Sequence, residues 1–293
     1  MRTYRDCCKA ETALLNFTKM TGNGNDFIVV ENFHNEASDQ ELSKLARTLC
    51  KRKYSIGADG LLLLEKSAKA HFKMRIFNSD GSEGEMCGNG ARCICRYASD
   101  HNIAPGEMTF ETLAGIYKAK VCGCEVKVDM GSIDLSKARY NQKIVLDDRE
   151  LTYNFLEVGV PHCVVFLDAR KTPREELLRI GRSLRNDKTH FPKGTNVNFV
   201  KILDKNRIYL VTYERGVEDL TESCGTGSAA GAIVSTVLRG MESPIRVTNL
   251  GGENKVFVEL KDDLSECKIS IQGRAVYVAK GIICQESTNE NIK

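Results

Sequence analysis

Cys87-Gly88-Asn89-Gly90-Ala91 is echoed about 137 residues later by Cys224-Gly225-Thr226-Gly227-Ser228. Each turn follows a polar segment and opens a run of small residues suited to a helix. What precedes the turns also repeats. Before the first come a strand at Phe27–Val30, a helical pattern at 39–50 and a strand at Met74–Phe77. Before the second come a strand at Cys163–Phe166, a helical pattern at 174–184, and strands near Val197–Val200 and Ile208–Val211. Strands are read from short apolar, β-branched runs bounded by Gly, Asn or Asp. Helices are read from apolar spacing, as at Leu42, Leu45, Ala46 and Leu49 behind a Ser38 or Asp39 cap, and at Leu177, Leu178, Ile180 and Leu184. A repeat this long is too long for a solenoid and predicts duplication of a whole domain.

The expected fold is therefore α+β: two similar, pseudo-symmetric α/β lobes with the active site in the cleft between them. The expected divisions are a polar N-terminal extension (1–15), a lobe carrying Cys87 (16–135) and a lobe carrying Cys224 (136–273). Residues 274–293 would form a C-terminal strand, returning to the first lobe, and a polar tail. The join between the lobes is expected near Asp134–Asp148. Further strands are expected at Tyr117–Val121, Glu125–Val128 and Val256–Leu260, giving more strand than helix.

A chain of 293 residues can bury two medium-sized cores. No apolar run approaches the roughly 18 residues that span a bilayer, since Gly60–Leu64 stops at Glu65 and Lys66. The first fifteen residues lack the apolar segment of a secretory signal. With a net charge of +3 and scattered Lys and Arg, the chain has no basic stripe for nucleic acid. The twelve cysteines fall short of a disulfide scaffold. Cys93/Cys95 and Cys122/Cys124 are spaced by one residue, not the two to four of zinc sites, and adjacent Cys7 and Cys8 form no ligand pattern. A cytoplasmic protein with reduced thiols is expected, most of them small packing residues.

The two turns differ from those other cysteines. Glycines permit a sharp turn and leave amide N–H groups uncovered. At a helix N-terminus those amides and the helix dipole favour an anion such as a carboxylate. The same field lowers the pKa of a nearby thiol. One such turn is a common structural feature; two matched turns in matched halves suit racemisation, in which one group removes a Cα proton and another delivers a proton to the opposite face. Cys87 and Cys224 are the candidate acid and base, and two helix N-termini would stabilise the carbanion-like transition state without a cofactor.

Phe17-Thr18-Lys19-Met20-Thr21-Gly22-Asn23-Gly24-Asn25-Asp26-Phe27, Asn78-Ser79-Asp80-Gly81-Ser82-Glu83 through Cys93, Glu111-Thr112-Leu113-Ala114-Gly115, Gly194-Thr195-Asn196-Val197-Asn198-Phe199, and Glu214-Arg215-Gly216 through Gly227 together resemble the diaminopimelate epimerase family. The resemblance runs from about residue 16 to 285 in the family's order. It implies two α/β lobes, a catalytic cysteine pair, no pyridoxal phosphate or metal, and interconversion of LL- and meso-diaminopimelate on the route to lysine and bacterial cell wall. By motif, Gly88, Asn89, Gly225 and Thr226 would hold the α-carboxylate of a small amino-acid substrate. Asn25, Asn78, Asn196, Glu214 and Arg215 would recognise its distal ammonium and carboxylate. The residue types agree with those roles, because Arg forks onto carboxylates, Glu accepts from ammonium and Asn does either.

The family commonly has Gly-Asn-Pro-His where this chain has Gly159-Val160-Pro161-His162. Val160 cannot replace a side-chain hydrogen bond, and a polar group left unpaired costs about 1–3 kcal/mol. The stretch Val217–Ser223 is also more polar than the usual form. His162 is a further candidate beside the site. A racemase of another polar amino acid, such as histidine or lysine, and a non-catalytic binding protein of the same fold stand as alternatives. Whether the chain forms a homodimer is open at this level.

Overall fold

The computed structural model describes residues 15–34, 37–146 and 149–283. Residues 1–14 of the expected N-terminal extension and residues 284–293 of the expected tail lie outside the described residues, while residue 15 opens the first strand. The chain divides into two compact units. One takes the described residues up to Cys124 and from Ala275 onward; the other is Glu125–Arg274.

In the first unit, β1 (Leu15–Gly22) and β2 (Asn25–Glu31) form a hairpin whose tip holds Asn23 and Gly24 at positive φ. Helix α1 (Asp39–Leu49) then carries the chain to β3 (Gly60–Glu65), parallel to β2. Ser38 caps α1 in a reciprocal capping box with Glu41. Antiparallel β4 (Phe72–Asn78) follows, with the two-residue β5 (Glu83–Gly84) on it. Helix α2 (Gly88–Asp100) leads to β6 (Glu107–Thr112), parallel to β4, and β6 turns back into β7 (Gly115–Cys122). The chain's last strand, Val276–Ile283, closes the far side by pairing antiparallel with β1.

The second unit repeats this path. After β8 (Glu125–Asp134) and β9 (Arg139–Leu146), β10 (Arg149–Val158) and β11 (Val160–Phe166) form a hairpin. Helix α3 (Arg174–Asn186) leads to β12 (Asn196–Asp204), parallel to β11, and β13 (Arg207–Tyr213) returns antiparallel. The short β14 (Leu220–Thr221) sits on β13 as β5 does on β4. Helix α4 (Gly225–Arg239) leads to β15 (Ile245–Asn249), parallel to β13, then β16 (Gly252–Leu260) and β17 (Glu266–Arg274) meander back. Each half thus runs hairpin, helix, parallel strand, antiparallel return, stub, helix, parallel strand.

Period-two alternation explains why each sheet carries a helix on both faces. In β3, Leu61 and Leu63 join Leu42, Ala46 and Leu49 of α1 in one core, while Leu62, on the other face, lies under the start of α2. In the second unit, Cys163, Val165, Val197 and Phe199 pack with Leu177, Ile180 and Leu184 of α3. Val164 and Val200 face the other way, with Ala229, Ala230, Ile233 and Val234 of α4. Each leucine or phenylalanine so buried contributes roughly 1.5–3 kcal/mol.

Two expected boundaries move. Glu125–Asp134 does not end the first lobe: β8 pairs along its whole length with β17 and belongs to the second unit. Residues 134–146 are not a connection between lobes, because β9 within that stretch is a sheet strand paired with β10. The division falls instead at Cys124/Glu125 and Arg274/Ala275. Among the described residues no helix is long and apolar enough to cross a membrane.

Candidate active site

Cys87 is the N-cap of α2 and Cys224 the N-cap of α4, in nearly the same backbone conformation (φ −136°, ψ 117° and φ −123°, ψ 114°). Each follows its two-residue stub strand at the same point of the repeated path. Each sulfur accepts a hydrogen bond from the amide three residues on, Gly90 at 3.5 Å and Gly227 at 3.3 Å. That is the position of a serine or threonine cap, filled here by a thiol. An amide donor at a helix N-terminus favours negative charge on the atom it meets. Thr226 Oγ1 lies 3.5 Å from Cys224 Sγ.

The paired glycines serve different ends. A Cβ on Gly88 would meet no atom within 4 Å, and one on Gly225 only Ile271 at 3.9 Å. Packing does not demand glycine there; its effect is to leave the first helical amides uncovered. A Cβ on Gly227 would stand 2.5 Å from Asn198 Oδ1, so glycine is obligatory at that close approach.

The first unit gathers Asn25 and Asn89 but not Asn78. Asn89 donates to Asn25 Oδ1, and Asn25 Nδ2 donates to Asp59 Oδ2 at 3.0 Å. Arg52 forks onto Asp26 and also reaches Asp59 at 2.9 Å. Burial works to raise the Asp26 carboxyl, but hydrogen bonds from Arg52 and Lys19 outweigh it and lower its pKa to about 2. Asn89 Oδ1 accepts from Arg92, whose side chain is fully buried. Each amide oxygen can accept twice and each amide nitrogen donate twice, so Asn25 and Asn89 retain capacity for a ligand. Asn78 ends β4 at the surface, where its amide donates to Ser82 at 3.0 Å.

In the second unit, Asn196 and Arg215 meet: Asn196 Oδ1 accepts from the Arg215 amide at 2.8 Å, and the guanidinium reaches Lys193 O at 3.0 Å. Burial raises the pKa of Glu214. Asn198 donates to Nδ1 of buried His162 and to Cys163 O, both at 3.1 Å, and accepts from Thr212 at 2.9 Å. Because Nδ1 accepts, the proton of neutral His162 sits on Nε2, which has no partner among the described residues. Burial, followed by the charge of Arg215, pushes the His162 pKa down to about 3. Val160 begins β11 beside Gly159 at φ +70°, on the same strand face as His162. The cavities of about 220, 290 and 370 Å³ found in this unit are lined by none of these polar groups.

Residues outside the sequence-based expectation complete the two networks, among them Arg52, Asp59, Arg92, Asn198 and Thr212. Asn198 alone left a local signal, alternating with Asn196 on one strand. The remaining buried cysteines are chemically quiet: burial pushes the thiols of Cys50, Cys93 and Cys267 up to about 12, and those of Cys95 and Cys163 up as well.

The family model described as diaminopimelate epimerase matches residues 17–136 and 155–278. A diaminopimelate epimerase of Archaeoglobus fulgidus is 38% identical over 278 residues, covering 91% of this chain and 95% of the relative. Another, from Methanocella arvoryzae, is 41% identical over 249 residues, covering 82% and 88%. Among solved structures, a phenazine biosynthesis protein of the PhzF family from Bacillus anthracis superposes with a TM-score of 0.70 over 93% of this chain and 99% of that one. At 14% identity that likeness speaks to the fold alone. By the extent of these matches, the chain belongs to the diaminopimelate epimerase family.

Proposed function

We propose that this chain interconverts LL- and meso-diaminopimelate by moving a proton at Cα, with Cys87 and Cys224 as the two acid/base groups. One observation carries the reading: two cysteines cap two helices at equivalent points of a duplicated path, each with a glycine amide on its sulfur. The names of the relatives supply the substrate.

In this reading one cysteine is a thiolate and the other a thiol. The thiolate takes the Cα proton, and the electron pair left on Cα delocalises into the α-carboxylate. The amides at Gly88, Asn89, Gly225 and Thr226 are the donors assigned to that carboxylate, where charge grows in the transition state. The second thiol delivers its proton to the opposite face, so one proton leaves and one arrives while the two cysteines exchange protonation states. No oxidation occurs and no cofactor is called for. Asn25, Asn196, Glu214 and Arg215 are assigned to the distal amino and carboxylate groups, and Asn78, exposed at the end of β4 and outside the Asn25–Asn89 network, is assigned with them by its motif alone. Thiols doing this work must stay reduced, which suits the cytoplasm.

No finding favours the histidine or lysine racemase, or the binding protein, that Val160 left open. The test is solvent deuterium uptake at Cα with LL-diaminopimelate beside histidine, lysine and glutamate. Uptake with diaminopimelate alone is expected. Uptake with none of them would sink the epimerase reading, and uptake with another amino acid instead would reassign the substrate.

A further inference from the structure

Arg92 lies within α2, five residues after Cys87, and is 0% exposed. Arginine is almost never buried so fully without a carboxylate. Yet the one hydrogen bond it makes among the described residues goes to neutral Asn89 Oδ1, and its Nε has no partner. No carboxylate of the described residues forms an ion pair with it. Those on the strands that α2 packs against are engaged elsewhere: Asp26 with Lys19 and Arg52, Glu31 with Tyr97, and Glu65 with Lys73 and Arg75. A permanent cation is thus buried within α2 with no permanent anion paired to it among the described residues.

Two groups able to carry negative charge act on Arg92, Cys93 and Cys87. Cys93 is buried, and burial pushes its thiol up to about 12, so it stays neutral. Cys87 is half-buried at the N-cap, where an amide already donates to its sulfur. The corresponding place in α4 holds Ala229, which has no charge.

We propose that Arg92 is the buried counter-charge that makes Cys87, rather than Cys224, the resting thiolate of the pair. The inference rests on the proposed two-thiol reading and deepens it, assigning Arg92 as a positioning residue that acts through Cys87 and through the Asn89 amide it holds. It also gives the two-fold repeat a polarity: the resting enzyme first removes a proton with Cys87 and delivers one from Cys224.

The test is the pH dependence of alkylation by iodoacetamide without substrate, with each cysteine followed by peptide mass spectrometry. In the wild-type protein Cys87 is expected to react with a midpoint at least one pH unit below that of Cys224. Arg92→Met should raise the Cys87 midpoint by about one unit or more, slowing its alkylation at pH 7 about tenfold, while Cys224 is unmoved. Arg92→Lys, which keeps the charge, should recover part of that loss. An equal or lower midpoint for Cys224 in the wild type overturns the assignment, and that measurement stands even if Arg92→Met does not fold. A Cys87 profile unchanged in a folded Arg92→Met protein overturns it too. Turnover on diaminopimelate with an unmoved profile removes this inference alone. The expected profile without turnover removes the functional reading and leaves Arg92 as the counter-charge.

Discussion

The amide of Gly227 donates to the sulfur of Cys224 at 3.3 Å, while the position its Cβ would occupy stands 2.5 Å from Asn198 Oδ1 and 2.9 Å from Thr212 Oγ1. Those two polar atoms are bonded to each other, and Asn198 is further held by Cys163 and His162, so neither can yield. At Gly90 the neighbour is instead the end of a leucine, Leu62 Cδ2 at 3.0 Å. Gly227→Ala should therefore cost roughly 1–3 kcal/mol by overpacking, with a matching loss of activity, and Gly90→Ala clearly less. Urea unfolding of both variants checks the order; equal destabilisation would show that the Asn198 network is not rigid.

Replacing either cap should separate chemistry from fold. Cys87→Ser and Cys224→Ser keep a side chain able to accept from the N3 amide, so stability should change by no more than about 1 kcal/mol. Epimerisation should fall by at least about a hundredfold in each, since an alcohol is a poor acid/base near neutrality. Racemisation assays paired with thermal melts decide it. Full activity in either variant refutes the two-base assignment.

Asp59 touches no residue expected to do chemistry, yet it holds Asn25 and shares Arg52 with Asp26. Asp59→Asn leaves the side-chain shape but weakens the acceptor that orients the Asn25 amide. Losing a hydrogen bond worth about 1.5 kcal/mol raises KM roughly tenfold. The turnover number should stay near wild type, because the role assigned to Asn25 is recognition rather than proton transfer. Steady-state kinetics resolve the two, and a loss confined to kcat would contradict that role.

His162 makes stability depend on pH. Its folded pKa of about 3 lies below the ordinary 6.5, so between those values the unfolded chain binds a proton that the native protein does not. Stability from this residue is present above the unfolded pKa and lost as pH falls, by up to about 1.4 kcal/mol per pH unit. Asp26 acts in the same direction but only at lower pH, below its ordinary 3.8. Glu214, raised by burial, acts in the opposite direction above 4.5. Comparing wild type with His162→Gln in urea between pH 7 and pH 5 isolates the histidine, and the variant should show the shallower slope. Identical slopes would mean that His162 titrates normally.

Much of this molecule was legible in local pattern. The Cys-Gly-x-Gly turns, the short β-branched strands and the capped apolar helices are local signals, because side-chain period and cap chemistry act over a few residues. They sufficed to predict a duplicated α/β path and to single out two of twelve cysteines. Tertiary structure alone decided the rest. It drew β8 into the second unit by pairing it with β17. Strand partners so distant in sequence leave no local trace. It set Asp59 against Asn25, and it buried Arg92 with Asn89 as its one hydrogen-bond partner among the described residues. Composition lists Arg92 as one more positive charge, whereas burial without a carboxylate turns that charge into a force on Cys87.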